Sequence, residues 1–349
     1  MKNLSQKINM LSLFEGKRGV LMAALLVSSS GVMACASCGC SLNSDWGTQG
    51  LSNQAGWSVD FRYDYLNQNQ LRSGTGTISP RAAANASNPY TGGTPGSAEV
   101  EKFTKSQTIT TTLDYNNGEA WGVSLVAPTI NRQHSTLGLG GTGSPLDGAY
   151  DSKASGVGDI KLIGRYYGFS EQKNVGIQLG LKLPTGKTNQ VANDGSTAVD
   201  PGLQLGTGTT DIIVGAYFHN NWNDNWGYFG QVMYQRALDS SNMANAANGG
   251  TSYRPGDSWN VNAGLRYEAL DWIQPTLQIN SRFVKKDGGD TGDQFATGGT
   301  LVYLTPGAII PVGKSASIYS SVQLPIYQRV NGIQLTPSYI FSVGAKFNF

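Results

Sequence analysis

Charged side chains are scarce in this chain. Asp, Glu, Lys and Arg make up 14% of its 349 residues, against roughly 25% in soluble domains, which argues against an ordinary cytoplasmic domain. Neither sign dominates: 25 Lys+Arg face 23 Asp+Glu, so the basic field that draws nucleic acid is missing and nucleic acid is excluded as a partner. Histidine occurs twice, and cysteine only at positions 35, 38 and 40. Beyond the N-terminal region no run reaches 18 apolar residues, which excludes a transmembrane helix there. What the chain does have is glycine, 46 residues and about twice the usual frequency. With 39% hydrophobic and 10% aromatic residues it can still bury a large apolar surface, so disorder is excluded too. The composition suits many short strands joined by many turns.

The N-terminus reads as a targeting segment. Lys2, Lys7, Lys17 and Arg18 stand against Glu15 alone, and the apolar run Gly19 to Val27 follows, the order of a secretory signal. That run is too short to span a bilayer, which takes about 20 apolar residues. Ala34 and Ala36 flank Cys35 in an A-x-A pattern, which places cleavage after Ala36. The rival is a lipoprotein signal with Cys35 lipidated, but Met33 sits where a smaller residue is usual. The expected organisation is a signal peptide over 1–36, a periplasmic segment over 37–55 carrying Cys38 and Cys40, and a barrel domain over 56–349. Without residues 1–36 the charges are 21 against 22, close to neutral.

The rest of the chain has a period of two. From Trp57, the residues Val59, Phe61, Tyr63 and Tyr65 are apolar or aromatic, with Asp60, Arg62 and Asp64 between them. Similar stretches follow, among them Ile160, Leu162 and Tyr166, Val175 to Leu183, and Trp259 to Tyr267; the last is Leu335, Tyr339, Phe341, Val343, Ala345, Phe347 and Phe349, all of one parity. Twelve such strands are expected. One greasy and one polar face fits a sandwich as well as a barrel with lipid outside and water inside. The connections favour the barrel. They alternate long and short (67–102, then 116–118, then 132–155, and so on through 184–207 and 285–297), as outer-membrane barrels alternate long outer loops with short periplasmic turns. An even strand count brings both termini to the periplasmic side. The chain end, with aromatics at alternate positions up to Phe349, looks like the strand signature read by the barrel-insertion machinery, which makes that machinery and outer-membrane lipid expected partners. The fold class expected is all-β, an up-and-down antiparallel transmembrane barrel in the outer membrane of a Gram-negative bacterium.

Three glycine-rich stretches carry a resemblance: Gly156-Val157-Gly158-Asp159-Ile160, then Pro184-Thr185-Gly186-Lys187 after the strand Val175 to Leu183, then Gly202-Leu203-Gln204-Leu205-Gly206-Thr207-Gly208-Thr209-Thr210-Asp211. Here the chain resembles the family named for the MetA pathway of phenol degradation, outer-membrane channels akin to FadL-type transporters. The resemblance implies a twelve-stranded barrel that passes aromatic or other apolar molecules, with no catalytic residues.

Charges on the polar faces are tolerable only where they meet water or each other, because charge facing lipid is costly. Asp60, Arg62, Asp64, Asp114, Lys161, Arg165, Lys182, Arg266, Glu268, Arg282 and Lys346 are therefore candidate lumen residues, lining a pore or pairing in a filled interior. Cys38 and Cys40 are candidates for a soft metal such as Cu(I) or Zn, or for a strained disulfide; two sulfurs make an incomplete zinc site, and C-x-x-C-H for haem is missing. His134 and Ser135, expected in an outer loop, and His219, near a periplasmic turn, do not assemble a hydrolase, so the protein is expected not to be an enzyme. Gly186-Lys187-Thr188 and Gly202 to Gly208 are chance likenesses to phosphate loops. The leading reading is a channel for small solutes, hydrophobic or aromatic ones among them, working by diffusion and without a cofactor. The alternative is an outer-membrane anchor or binding protein whose Cys38-Gly39-Cys40 engages a metal or a redox partner.

Overall fold

Asn117 shows how the sequence turns the chain. Its side-chain Oδ1 accepts the N–H groups of Glu119, Ala120 and Trp121 at 2.9–3.0 Å, and Gly118 takes a left-handed φ of +76° that a side chain would strain. Asn223 does the same for Asn225 and Trp226. These asparagines reverse the chain within a few residues, as Asx turns do, between strands that pair antiparallel.

The computed structural model describes residues 55–86, 99–139, 149–196, 198–243 and 251–349. Cys35, Cys38, Cys40 and the expected leader lie outside the described residues, as does all but Ala55 of the segment expected before the barrel. The strands are β1 (Gly56–Gly74), β2 (Gly76–Thr77), β3 (Glu99–Asn116), β4 (Trp121–Leu139), β5 (Asp151–Val157), β6 (Ile160–Tyr166), β7 (Val175–Leu183), β8 (Asp211–Asn223), β9 (Trp226–Ala237), β10 (Ser241–Asn242), β11 (Ser252–Tyr253), β12 (Ser258–Tyr267), β13 (Gln274–Val284), β14 (Gly299–Val312) and β15 (Ala316–Asn348), with one short helix, α1 (Pro80–Ala84). Eleven elements close a barrel in the order β1-β3-β4-β6-β7-β8-β9-β12-β13-β14-β15, and β15 returns to β1. β5 extends the row of β6 along the loop-side half of β4, and β10 and β11 pair outside the barrel.

The expected twelve strands appear as eleven elements because the connection expected at 326–332 is itself extended. β15 pairs with β14 through Ala316–Val330 and with β1 through Val330–Asn348. Gly332, at φ +60°, lies where these two arms meet, and Gln328 Nε2 donates to Pro337 O across them at 2.9 Å. Counted by arms, the barrel has twelve strands. The seam closes at the chain end, where the N–H of Phe349 donates to Trp57 O at 2.9 Å and the N–H of Trp57 to Phe349 O at 3.0 Å. Several expected loops are likewise strand: β4 continues to Leu139, which puts His134 and Ser135 in the sheet, and His219 is in β8.

Short turns gather at one end of the barrel and long connections at the other, and short turns mark the periplasmic side in outer-membrane barrels. The outer surface matches that orientation. Phe61, Ile109, Leu179 and Ile279 are 46–58% exposed around the wall, an apolar band. Aromatic contacts bound it at the short-turn end, Trp57–Tyr115 (5.0 Å) and Trp226–Tyr267 (4.9 Å), and toward the loops, Tyr234–Trp259 (4.6 Å) and Tyr65–Tyr339 (6.3 Å). Such girdles sit at the two membrane interfaces.

Inside, parity is mostly as the pattern predicts. Register shifts at Leu66/Gln68 and Gln68/Gln70 cancel, since Leu66 with Ile340 and Leu71 with Leu335 keep one register. Leu335, grouped by parity with the outward Tyr339 and Phe347, is nevertheless fully buried opposite Leu71. Both pack with Val100 and with Ala83 and Ala84 of α1, whose N-terminus is capped by Ser79. Toward the middle of the wall the polar residues interlock. Gln231 donates to Gln178 (3.0 Å), Asn262 to Gln231 (3.3 Å), Asn280 to Asn262 (3.0 Å) and Thr305 to Asn280 (2.5 Å), an amide ladder across the inward faces of β7, β9, β12, β13 and β14. These groups are buried and satisfied by one another, so this part of the lumen is filled rather than open.

Candidate functional site: the cavity along the lumen

A cavity of about 320 Å³ runs beside the amide ladder. Its lining extends from Ser58, Asp114 and Lys346 near the short turns to Tyr253, Pro255 and Asp287 beneath the long connections. Of the eleven charged candidates nine line it: Asp60, Arg62 and Asp64 from β1, Asp114 from β3, Lys161 and Arg165 from β6, and Lys182, Arg282 and Lys346 from β7, β13 and β15. Arg266 and Glu268 do not. They pair with each other at 2.6 Å beside the short turns, outside the cavity lining.

Six of these nine charges, Asp60, Arg62, Asp64, Asp114, Arg165 and Lys182, come in hydrogen-bonded groups. Arg62 Nε donates to Asp64 at 2.9 Å, and Ser342 Oγ to the other oxygen of Asp64 at 2.6 Å. Arg165 reaches Asp114 (2.5 Å) and Ser124 (3.0 Å), and Ser124 donates to Asp114 (2.5 Å). The hydroxyl of Tyr319 bridges both oxygens of Asp60 at 2.8 and 2.9 Å. Lys182 lies 3.0 Å from Asp159 and 3.1 Å from Asp211. Pairing of this sort is what makes buried charge tolerable, and the fixed geometry leaves a corridor with alternating signs on its wall. Between the charges β4 contributes Val126, Pro128 and Ile130, an apolar strip facing the same space.

One part of the wall is not strand. The connection expected as an outer loop at 184–207 folds inward, so that Pro201, Gly202, Gln204, Leu205, Gly206 and Thr207 line the cavity. The glycine-rich stretches explain why. Between β5 and β6 the chain breaks at Gly158-Asp159, and Thr185 bridges the gap, donating from Oγ1 to Gly158 O (2.7 Å) and accepting from Ile160 N–H (2.9 Å). Asp159 then gathers the N–H groups of Gly186 (3.0 Å) and Thr207 (2.9 Å) and the Lys182 ammonium (3.0 Å). From β4, Arg132 donates to the carbonyls of Gly202 (2.8 Å) and Gln204 (2.9 Å) and to Ser106 Oγ (3.1 Å). The side chain of Gln204 ties the segment to itself through Gln190 and Val199. The result is a shelf on the inner wall, of which Leu203 and Leu205 are buried.

Arg132, Asp159, Asp211, Asp287 and Tyr319 are site residues that sequence reasoning missed. Their signal was weak: Arg132 sits where a loop was expected, and Asp159 lies in a glycine-rich stretch with no period. Above the cavity Asp287 accepts from the N–H of Gly256 (2.8 Å) and the hydroxyl of Tyr253 (3.1 Å). Burial pushes its carboxyl up to about 6 against the pull of those two hydrogen bonds. Among the described residues no group of three or more His, Cys, Asp or Glu is arranged to hold a metal ion.

A closed up-and-down barrel with an apolar outer band, two aromatic girdles and a polar cavity along its lumen defines an outer-membrane channel or transporter. The sequence profile of the family described as "Putative MetA-pathway of phenol degradation" matches residues 77–313, more than half the chain, and the protein belongs to that family. Among solved structures, the COG4313 outer membrane channel from Pseudomonas putida F1 is 13% identical and superposes with a TM-score of 0.60, over 86% of this chain and 98% of that one. A Pseudomonas aeruginosa FadL homologue matches at 10% identity and TM-score 0.44, over 84% and 90% of the two chains. The Ralstonia pickettii toluene transporter TbuX matches at 12% and 0.42, over 85% and 90%. No curated protein matches the chain in sequence. The protein is an outer-membrane β-barrel of the Gram-negative type.

Proposed function

We propose that the barrel passes small solutes, hydrophobic and aromatic molecules among them, by diffusion along the lumen cavity. The observation that carries this is the cavity's course from the short-turn end to the long connections beside the strip Val126, Pro128 and Ile130. A space of about 320 Å³ is at the small end of ligand pockets, suited to a single ring rather than a long chain. The paired charges give the wall polarity, and the strip offers an apolar body a surface to leave water for. The family's name, which refers to phenol degradation, supports the same solute class. In this reading residues 1–36 direct export, 37–55 lie in the periplasm, Phe349 engages the insertion machinery, and the inward charges tune selectivity. Single-channel recording of protein purified from outer membranes, with liposome uptake of phenol and benzoate, tests it. Steady conductance and uptake above protein-free vesicles are expected; a folded barrel giving neither would overturn the reading.

A further inference from the structure

We infer that the shelf Pro201–Thr207 is the element that sets the size limit of this conduit, and that Arg132 is the positioning residue that holds it in the lumen. The inference rests on the reading of the lumen as a conduit.

Two features separate the shelf from the rest of the wall. The wall is strand, hydrogen-bonded on both sides and closed into a ring, so it cannot change the bore without breaking ladders. The shelf has no ladder. Besides backbone bonds from Leu205 and Gly206 to the carbonyl of Lys187, it is held by side chains from three places: Arg132 on β4, Asp159 between β5 and β6, and Lys182 at the end of β7, whose ammonium also reaches the hydroxyls of Thr207 and Thr209. Six of its residues face the cavity, and Leu205 meets Gly156 and Gly158 on the wall behind. An added Cβ would come within 3.0 Å of Leu205 Cδ1 at Gly156 and 3.2 Å of Leu205 O at Gly158, so the shelf sits as close to the wall as glycine permits. It therefore takes up space that water and solute would otherwise occupy.

Arg132 is the anchor on the cavity side. Its Nη1 donates to two carbonyls of the shelf two residues apart, and its Nε donates to Ser106 on β3, so the planar guanidinium is fixed in orientation as well as distance. Asp159 holds the ends of the connection at Gly186 and Thr207, whereas Arg132 holds its middle.

The test compares Arg132→Ala, Arg132→Lys and Leu205→Ala with the parent protein, each purified folded from outer membranes, by single-channel conductance and by liposome swelling in sugars of increasing size. Arg132→Ala is expected to raise conductance several-fold and admit larger sugars, Arg132→Lys to restore part of the parent limit, and Leu205→Ala to widen the limit without freeing the shelf. Arg282→Ala, which removes a side chain of the opposite wall, separates loss of bulk from loss of the anchor. If Arg282→Ala widens the conduit as much as Arg132→Ala, or if both Arg132→Ala and Leu205→Ala keep the parent limit in a folded barrel, the inference is overturned while the conduit reading stands. If the parent conducts nothing and no variant does, the conduit reading itself fails and the inference with it.

Discussion

A Cβ on Gly206 would lie 2.3 Å from Oδ1 of Asp159. The same Cβ would stand 2.8 Å from the Cα of Gly186, so neither a side-chain rotation nor a local shift relieves both contacts. Asp159 is itself fixed by hydrogen bonds to Gly186, Thr207 and Lys182. Gly206→Ala is therefore expected to destabilise the barrel by about 1–3 kcal/mol, the usual cost of overpacking. Gly76→Ala, where nearly open space surrounds the position, serves as the control. The urea midpoint of unfolding in lipid vesicles reads the difference; equal midpoints would show that the shelf is not locked as described.

The barrel was legible in the sequence and the shelf was not, for reasons that follow from range. Alternation in Trp57 to Tyr65 is a local signal with a period of two, and lipid on one side and water on the other enforce it residue by residue. The burial of Leu71 and Leu335 is not local, because it comes from the pairing of strands more than 260 positions apart in the chain and from α1 packing on them. The inward charges were readable for the same reason as the strands: Arg62 or Lys182 in an apolar alternation has nowhere else to go. Arg132 was hidden because β4 runs on past the membrane band into a stretch where the alternation fades. The course of 184–210 depends on Asp159 meeting Gly186 and Thr207, contacts 27 and 48 residues apart, which no window along the sequence contains. The glycines themselves were the clue, since they mark where two backbones must approach.

The group formed by Asp114, Ser124 and Arg165 gives a prediction about charge in the lumen. Both ionic side chains are at least nine-tenths buried, and removing one partner leaves the other uncompensated. Asp114→Ala is expected to cost about 3 kcal/mol, at the lower end of the range for broken buried pairs because water in the cavity relieves part of the penalty. Arg165→Met in the same background should recover most of that loss. A double-mutant cycle on unfolding free energies checks this, and strictly additive effects would mean that the pair does not act as a unit.

Asp287 makes the connection after β13 sensitive to pH. Its folded carboxyl is raised to about 6, first by burial and then by Asp293, with its two hydrogen bonds and Arg282 opposing. The folded state therefore binds a proton that the unfolded state has already released, so its contribution is complete below the ordinary carboxylate range near 3.8 and fades as pH rises through about 6. Hydrogen exchange of residues 285–298, corrected for the intrinsic pH dependence of exchange, should show protection falling from pH 4 to pH 7. Asp287→Asn, which stays neutral, should flatten that profile. Protection that rises with pH in the parent protein would reverse the sign and refute the assignment.

The outer band gives the last prediction. Leu179 lies at the centre of β7 and is 58% exposed, with its side chain among Ile177, Leu181 and Val214 on the same face. If that face meets hydrocarbon, Leu179→Lys places an ammonium near the bilayer midplane at a cost of about 2–4 kcal/mol. Phe283, on β13 beside Trp259 and so at the level of the loop-side girdle, lies near the interface, where the same charge costs only about 0–1 kcal/mol. The two variants should differ in folding yield and in unfolding free energy in lipid vesicles, Leu179→Lys being the weaker. They should also differ more in a thick bilayer than in a thin one, because only the midplane position moves away from water as the hydrocarbon deepens. Equal effects at the two positions would mean that the apolar band does not face lipid at the depth its girdles define.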